Sequence, residues 1–493
     1  MELNPLSCAL VALLLVLVAF LFRRDRATYS KLPPGPPPAF LVGNMLQLDR
    51  KAPFKSLVKL SERYGPVLTV YLGRKRCVVL VGYKAVQEAL VDHSESFCGR
   101  EPIPFFNRIN RGYGLGISNG ERWRQLRQFT VTTLRDFNMG KNKLETWIHE
   151  EARHLIEELE YTKGSPSDPT LLLNLSVSNV ICSLVFGSRF DYQDQRFLRL
   201  LQLLKEMVHG MRGPWVQLYN TFPTIMDLLP GPHKNVFASA QQLADFMEDS
   251  VKEHKQTLRS TRPRDFIDCF LLRQEQEKNN SDSEFNSHNL IYTILGLFIA
   301  GTETTSTTLR YILMLLIKYP QVQERIQQEI KAVIGAQRRP ALEDRTAMPF
   351  TDAVIHESQR LLDTVPMNLP HMATQDIFFR GYTIPKGTMV IPLLHSVLQD
   401  QEHWVSPDAF NPHHFLDEQG RFKRHPAFMA FSAGKRVCAG ENLARAELFI
   451  FLVSLLQRFS FSCPLGPASI CITPERSAFA SVPQSYQLIA TPR

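Results

Sequence analysis

The feature that most constrains this chain is a short loop with one cysteine, FSAGKRVCAG, at residues 431–440. Gly434 and Gly440 permit tight backbone geometry or the close approach of a flat group. Arg436 places a fixed cation two residues before Cys438. An apolar segment with helical periodicity follows directly, and the positive end of such a helix favours a thiolate. A nucleophilic cysteine would need a base, which the local sequence does not supply, so the loop predicts a thiolate that binds a metal.

The overall composition is that of an ordinary globular protein, with 44% apolar and 21% charged residues in a chain of 493. The net charge of +8 is spread along the chain, which gives little support to nucleic-acid binding but leaves open a basic face for an acidic protein or an anionic membrane. The eight cysteines contain no CxxC pair. Their spacing suggests neither a zinc site nor a disulfide framework, so we expect most to be buried thiols in a reducing compartment.

The N-terminus contains an uncharged apolar run at residues 6–22, followed at once by three arginines. The run is at the short end of what spans a bilayer. A cleaved secretory signal is the alternative, but Glu2 precedes the run without any Lys or Arg, and no small-residue cleavage site is evident. The positive-inside rule places the arginine side in the cytosol. We therefore predict a membrane anchor at residues 1–26.

Residues 27–42 contain the run LPPGPPP, whose prolines favour an extended, stiff arm. This segment is the predicted linker, and residues 43–493, which contain no internal repeat, form one predicted domain. Residues 291–317 are apolar enough to suggest a second membrane span. Glu303 and five threonines in the middle of this segment would be unfavourable in lipid. We expect a helix through the protein core instead, with polar groups that face a cavity.

Helical periodicity and short apolar runs make the body mainly helical with small β-sheets, an α+β class. Helices are predicted at Ala85–Val91, Trp123–Leu134, Lys143–Leu159, Leu198–Val208, Ala238–Leu258, His288–Lys318, Val322–Ile334, Thr351–Leu362 and Glu441–Phe459. Strands are predicted at Val67–Leu72, Cys77–Val81, Phe378–Ile384 and Met389–Pro392. The polar residues 273–286 predict a mobile surface loop.

The pattern Phe-x-x-Gly-x-Arg-x-Cys-x-Gly at residues 431–440 resembles the haem-ligand loop of the cytochrome P450 superfamily, and the resemblance covers the whole chain. The anchor, the Pro-rich arm and the body together resemble the microsomal second family, whose members oxidise drugs and lipids. The resemblance implies a single large haem-thiolate monooxygenase fold with a long central helix over the haem. It also implies haem b as cofactor, with Cys438 as the axial thiolate on iron and with Phe431 and Gly434 as further residues of the cofactor loop.

The resemblance implies that cations and hydrogen-bond donors from several parts of the chain bind the haem propionates. Charge-assisted contacts of this kind fix the orientation of the haem and contribute to its affinity. Trp123 and Arg127 match a Trp-x-x-x-Arg pattern on one helix face. Arg100, His371 and Arg436 occupy positions similar to those of propionate-binding residues in the family.

A structural network is implied by Glu357-Ser-Gln-Arg360, which matches the family's Glu-x-x-Arg. Side chains three residues apart share a helix face and can pair. A zinc-protease HExxH site is excluded because position 360 is arginine. The family's third partner is commonly an arginine; here His414 occupies that position, and its imidazole can still donate to Glu357. The strength of this three-way network stays open at this point.

Residues 300–305, AGTETT, match the family segment that lies over the iron. The resemblance implies that Gly301 leaves room for dioxygen against the backbone. It also implies that Thr304 hydrogen-bonds the oxygen and that Glu303 supplies protons through water. The alternative is that the threonines only bend the helix by bonding to its backbone.

The electron donor is implied to be a separate protein. Residues 112–120, GYGLGISNG, superficially resemble a dinucleotide-binding loop, but the spacing is wrong and no βαβ unit surrounds them. The resemblance therefore implies an NADPH-cytochrome reductase, with a cytochrome b-type protein as a further candidate donor. Arg122, Arg124 and Lys435 are a hypothetical docking face. The implied location is the endoplasmic reticulum membrane, with the body on the cytosolic side.

The substrate is expected to be a lipophilic small molecule, since the residues that the resemblance places in the pocket are all apolar and offer no charged anchor. They are Ile103, Phe298, Ala300, Val365, Leu369 and Phe479. Fatty acids, steroids and foreign compounds all remain open. Two other functions remain possible: a reductase-independent isomerase or dehydratase that acts on peroxides, which the segment at residues 301–304 disfavours, and a non-catalytic haem sensor or electron carrier, which the apolar pocket disfavours.

Overall fold

The computed structural model describes residues 31–139, 143–259, 263–476 and 480–493. The predicted anchor at residues 1–26 lies outside these ranges. Among the described helices, none has both the length and the apolar character that a membrane span requires. From Lys31 onward the predicted linker lies against the body, because the carbonyls of Pro33 and Pro34 accept 2.8 Å hydrogen bonds from the side chain and backbone N–H of Thr69.

The described residues form a mainly helical body. Its α-helices are α1 (Pro53–Tyr64), α2 (Tyr83–Gln87), α3 (Pro104–Asn110), α4 (Gly120–Met139), α5 (Lys143–Tyr161), α6 (Thr170–Phe186), α7 (Gln195–Met211), α8 (Pro214–Thr221), α9 (Pro223–Leu228), α10 (Pro232–Thr257), α11 (Phe266–Gln276), α12 (Ser287–Lys318), α13 (Pro320–Val333), α14 (Pro349–Leu362), α15 (Leu394–Leu398) and α16 (Glu441–Arg458). Many begin with proline, whose missing N–H and fixed φ suit the first helical position. Others are capped by side chains that accept backbone hydrogen bonds, as Asn286 does for α12.

The strands of the described residues form four small sheets. They are β1 (Val67–Leu72), β2 (Lys75–Leu80), β3 (Gly99–Arg100), β4 (His371–Met372), β5 (Ile377–Phe379), β6 (Tyr382–Ile384), β7 (Met389–Pro392), β8 (Phe459–Ser462), β9 (Glu475–Arg476), β10 (Ser481–Val482) and β11 (Ile489–Pro492). The largest sheet has the order β1-β2-β7-β4-β3, in which only β2 and β7 run parallel. The predicted class, mainly α with small β-sheets, is confirmed.

Helix α12 lies in the interior and separates two parts of the core. Its first half contributes residues such as Ile294 and Phe298 to one apolar cluster with α6, α7 and α10. Its second half, from Leu309 to Ile317, packs into another cluster with α5, α14 and α16. The prediction that residues 291–317 form a core helix agrees with this position.

Two local predictions were wrong. Residues 378–384 form a hairpin, not one strand, because Arg380 and Gly381 adopt positive φ angles of 50° and 85° and turn the chain between β5 and β6. The predicted loop at residues 273–286 begins later than expected. Its first four residues continue α11, which ends at Gln276.

Candidate active site

The cysteine loop is held by its own backbone directly in front of α16. The N–H of Cys438 donates to the Phe431 carbonyl at 3.0 Å, and the N–H of Val437 donates to the Gly434 carbonyl at 3.1 Å. Gly434 has φ +69°, and a Cβ at this position would lie 1.7 Å from the carbonyl oxygen of Leu90. The loop therefore passes so close to the backbone of Leu90 that only glycine fits at position 434.

Substitution of Gly434 by alanine should displace the whole loop, since the clashing atom belongs to backbone and cannot move aside. We expect Gly434→Ala to lower the free energy of unfolding by more than the roughly 1–2 kcal/mol that a left-handed conformation alone costs, and to reduce haem incorporation. Gly420→Ala is the matched control, because Gly420 has φ +74° with open space around it. Thermal unfolding and haem content measure both effects; equal behaviour of the two variants would contradict the steric argument.

Cys438 is exposed by its accessible surface, yet the density of protein atoms around the sulfur raises the pKa of the thiol above its usual value. Burial is the largest cause, opposed by the Gly440 N–H and by Arg127, while Glu441 adds a further rise. The Gly440 N–H at the start of α16 does lower the pKa, as the sequence predicted for the helix end, but this effect is smaller than that of burial. A thiolate at this position needs a further positive charge at the sulfur, as a coordinated metal ion provides.

A group of cations converges beside the loop. Arg436 is buried and donates from Nε to the Cys98 carbonyl at 2.7 Å and from Nη2 to the Ser118 carbonyl at 2.8 Å. Its guanidinium stacks 3.9 Å from the ring centre of Trp123. Arg127 donates from Nη2 to the Val437 carbonyl at 2.7 Å, one residue before the cysteine. The structure thus brings these predicted cofactor residues together at the loop.

Arg100 and His371 belong to the same group and have unused donor or acceptor capacity. Arg100 donates to the Leu369 carbonyl at 2.6 Å, but its buried Nε has no partner. His371 donates from Nδ1 to the Phe97 carbonyl at 2.7 Å, and its buried Nε2 has none. Burial is the first cause that lowers the pKa of His371 far below its usual value, and the charge of Arg100 adds to it.

Within the described part of the chain, the cation group lacks a counter-ion. Burial, followed by the charges of neighbouring arginines, lowers the pKa values of Arg100 and Arg436 to about 9. Among the described residues, no carboxylate pairs with either of them or with Arg127. Buried cations of this kind need an anion or several hydrogen-bond acceptors, so the residues present fit the two propionates of a haem.

The Glu357 and Arg360 side chains form a fully buried, two-pronged ion pair with both N–O distances at 2.8 Å. Glu357 also accepts from the Asn411 N–H at 2.9 Å and from His414 Nδ1 at 3.1 Å. Arg360 donates its remaining hydrogens to the carbonyls of Leu398, Pro407 and Ala409 at 2.7–3.0 Å. The structure therefore joins all three predicted network residues, and the network ties α14 to the segments on either side of Trp404.

In α12, the central helix, Ala300 and Thr304 are exposed, while residues 305–309 are buried. Thr304 Oγ1 donates to the Ala300 carbonyl at 2.8 Å. Burial raises the pKa of Glu303 above its usual range, although the charges of Arg212, Arg310 and Lys205 oppose the rise. Gly301 has a packing role here, since a Cβ would meet Ile181 of α6 at 2.6 Å; its role beside dioxygen stays a prediction.

A cavity of about 550 Å³ lies against this face of α12. Of the predicted pocket residues, Ile103, Ala300, Val365 and Leu369 line it. Phe298 does not, because it is fully buried in the core on another side of the helix. Phe479 lies outside the described residues. The sequence analysis missed the wall formed by the end of α7 and by α8, which includes Val208, Met211, Arg212, Gln217, Asn220 and Thr221.

The three cations proposed for reductase docking each have an acidic neighbour. Arg122 donates to Glu284 at 2.8 Å, Arg124 contacts Glu121 at 3.2 Å, and Lys435 pairs with Glu95. Such pairs leave less free positive charge than the sequence suggested, and the docking face stays a prediction.

The fold, the cysteine loop and the cation group define a haem-thiolate class of protein. A family model described as Cytochrome P450 matches residues 33–490. The chain is 52% identical over 459 residues to cytochrome P450 2G1 of Oryctolagus cuniculus, with 93% of each chain covered. It is 50% identical to cytochrome P450 2C5 of the same organism, with 99% of this chain and 100% of the relative covered. With cytochrome P450 2B4 of that organism it shares 50% identity over 97% of this chain and 98% of the relative.

The chain therefore belongs to the cytochrome P450 family, and the resemblance stated from its sequence is confirmed. As a full-length relative of these proteins at about half identity, it is an oxidoreductase of the haem monooxygenase class.

Proposed function

We propose that the protein inserts one oxygen atom from O2 into a lipophilic small molecule, with electrons from a separate NADPH-dependent flavoprotein reductase. The observation that carries the proposal is the shared wall of the cavity. Thr304 and Glu303, the oxygen-side residues, line the same space as the apolar side chains Ile103, Val365 and Leu369. A mostly apolar cavity with a few convergent polar groups is typical of small-molecule sites.

The cofactor that fits this site is haem b. Cys438 would ligate its iron, and Arg100, Arg127, Arg436 and His371 would hold its propionates. When bound, haem supplies the activation of dioxygen, which no side chain of the protein can provide. An anion beside His371 would also favour protonation of the imidazole, which then donates from both ring nitrogens.

The protein's own part in the reaction is to position substrate, exclude water and supply protons. At the cavity wall, burial raises the pKa of the Glu303 carboxyl group, which favours its protonated form and suits it to supply a proton. The Thr304 hydroxyl donates to the Ala300 carbonyl at 2.8 Å, so it must rotate away from that bond before it can donate into the cavity. Rotation about one side-chain torsion is a small cost compared with moving backbone.

The proposed setting is the endoplasmic reticulum membrane, with an anchor at residues 1–26 and the body on the cytosolic side. The uncharged run at residues 6–22 and the arginines after it support this location. A cytochrome b-type protein is a second candidate electron donor.

Reconstitution with purified reductase tests the proposal. Oxygen and NADPH should be consumed when a lipophilic compound is present, and an oxygenated product should appear in the same mixture. An isomerase or dehydratase would convert a hydroperoxide without NADPH, and a haem sensor would convert neither compound. Either of those results would contradict the proposed function.

Replacement of Thr304 by alanine should lower the amount of product per NADPH and raise the fraction of oxygen released as hydrogen peroxide, since one proton donor at the cavity wall is lost. Thr307→Ala is the matched control, because Thr307 lines the same cavity one helical turn away. Product and peroxide are measured against NADPH consumed. Unchanged coupling in Thr304→Ala would remove Thr304 from proton delivery.

A further inference from the structure

We infer that the cavity accepts lipophiles that carry a carboxylate, and that Arg212 binds this group. The inference rests on the proposed monooxygenase function and names a substrate class for it. It also corrects the expectation that the pocket offers no charged anchor, because Arg212 lines the cavity.

Among the described residues, the guanidinium of Arg212 has no hydrogen-bond or ion-pair partner, although its charge acts on the carboxyl group of Glu303. Arg212 follows directly after α7, and its buried Nε makes no hydrogen bond. No described residue forms an ion pair with it. Arg310, another cation near Glu303, differs because its two terminal nitrogens donate to Thr170 Oγ1 at 3.1 Å and to the Pro483 carbonyl at 2.7 Å. An arginine that borders a cavity with free donors is suited to an anionic ligand.

The other charged groups of the cavity wall do not neutralise Arg212. Lys75 and Glu101 pair with each other at 2.6 Å. Glu303 is the remaining acid of the wall, and burial raises the pKa of its carboxyl group despite the nearby charge of Arg212. Neither acid of the wall forms an ion pair with Arg212, so its guanidinium is left without a paired carboxylate among the described residues.

The neighbours of Arg212 determine what the rest of the ligand must be. Val208, Met211, Ile299 and Phe106 line the same cavity, so a ligand with its carboxylate at Arg212 lies along apolar side chains. A guanidinium binds a carboxylate through two parallel hydrogen bonds, and it repels an ammonium group. The structure thus favours acidic lipophiles over neutral ones of the same length, and disfavours basic ones.

Binding of dodecanoic acid and of its methyl ester tests the inference without any need for turnover. Equilibrium dialysis or titration calorimetry at neutral pH should show that the wild-type haem protein prefers the acid. Arg212→Met should weaken binding of the acid by roughly 10- to 100-fold, the range of a charge-assisted hydrogen bond, and leave the ester unchanged. Arg212→Lys, which keeps the charge, should retain part of the preference.

Lys205→Met is the matched control, since Lys205 is an exposed cation on α7, the helix that Arg212 follows, and does not line the cavity. It should leave both affinities unchanged. Equal affinity of the wild type for acid and ester would overturn the inference, as would an equal loss of both in Arg212→Met. Neither of these results affects NADPH-dependent turnover by the wild type. Failure of the proposed function would remove that turnover, so the two failures can be distinguished.

Discussion

Replacement of Cys438 by serine should reduce NADPH-dependent product formation to background. The same variant, reduced and exposed to carbon monoxide, should lack the red-shifted Soret absorption of sulfur-ligated haem. The reason is chemical, because a hydroxyl group neither ionises as readily as a thiol nor donates electron density to iron as a thiolate does. The environment of residue 438 strengthens the effect, since burial already disfavours a negative charge there and disfavours an alkoxide still more.

Cys471→Ser is the matched control, because Cys471 is an exposed free cysteine far along the chain from the loop. It should keep the wild-type spectrum and activity. Persistence of the wild-type spectrum in Cys438→Ser would exclude Cys438 as the ligand and would remove the basis of the proposed oxygenase.

The parts of the site that the sequence predicted are those fixed by local spacing. Glu357 and Arg360 lie three residues apart on one helix, so their pairing follows from helical geometry. The loop at Gly434 was recognisable because its glycines stand at fixed distances from the cysteine. Each of the nine predicted helical segments overlaps a helix of the structure. Most have an apolar stripe that repeats with the helical period, whereas α16 is buried without a break from Ala446 to Leu456.

The sequence analysis missed α1 although this helix has one apolar face, with Phe54 and Leu57 buried, but other missed helices lack such a stripe. Helix α6 is buried from Leu175 to Phe186, so its apolar residues cover all sides and give no periodic signal. Its position could not be inferred, although it packs against Gly301 through Ile181. Short helices such as α8 and α9 offer too few turns for a period to be recognised.

The pocket prediction failed where it depended on orientation and on distant segments. Phe298 and Ala300 are two residues apart, and residues at that spacing point to different sides of an α-helix. The side chains of Phe298 and Ala300 therefore cannot both face one cavity, and helical geometry alone was enough to show it. Arg212 lies far from α12 in the sequence, and only the tertiary fold brings the end of α7 and the central helix to the same cavity.

The second large effect is expected at the buried ion pair. Glu357→Gln keeps the size of the side chain but removes the charge opposite Arg360, which is fully buried. Removal of one partner of a buried pair costs about 3–5 kcal/mol, because the other charge is left without compensation. We expect a decrease of that size in the free energy of unfolding, measured by denaturant titration, or a correspondingly faster unfolding rate if the transition is irreversible.

The exposed pair of Glu121 and Arg124 is the matched control, since it has the same three-residue spacing on a helix. Glu121→Gln should change the stability by at most about 1 kcal/mol, the range of surface pairs. Removal of both buried charges in Glu357→Gln/Arg360→Met should not restore stability, because Arg360 also satisfies three backbone carbonyls that would then lose their donor. If the double variant were as stable as the wild type, the charge pair, and not the hydrogen bonds to these carbonyls, would dominate the network. If Glu357→Gln and Glu121→Gln lost similar amounts of stability, burial would not strengthen the pair.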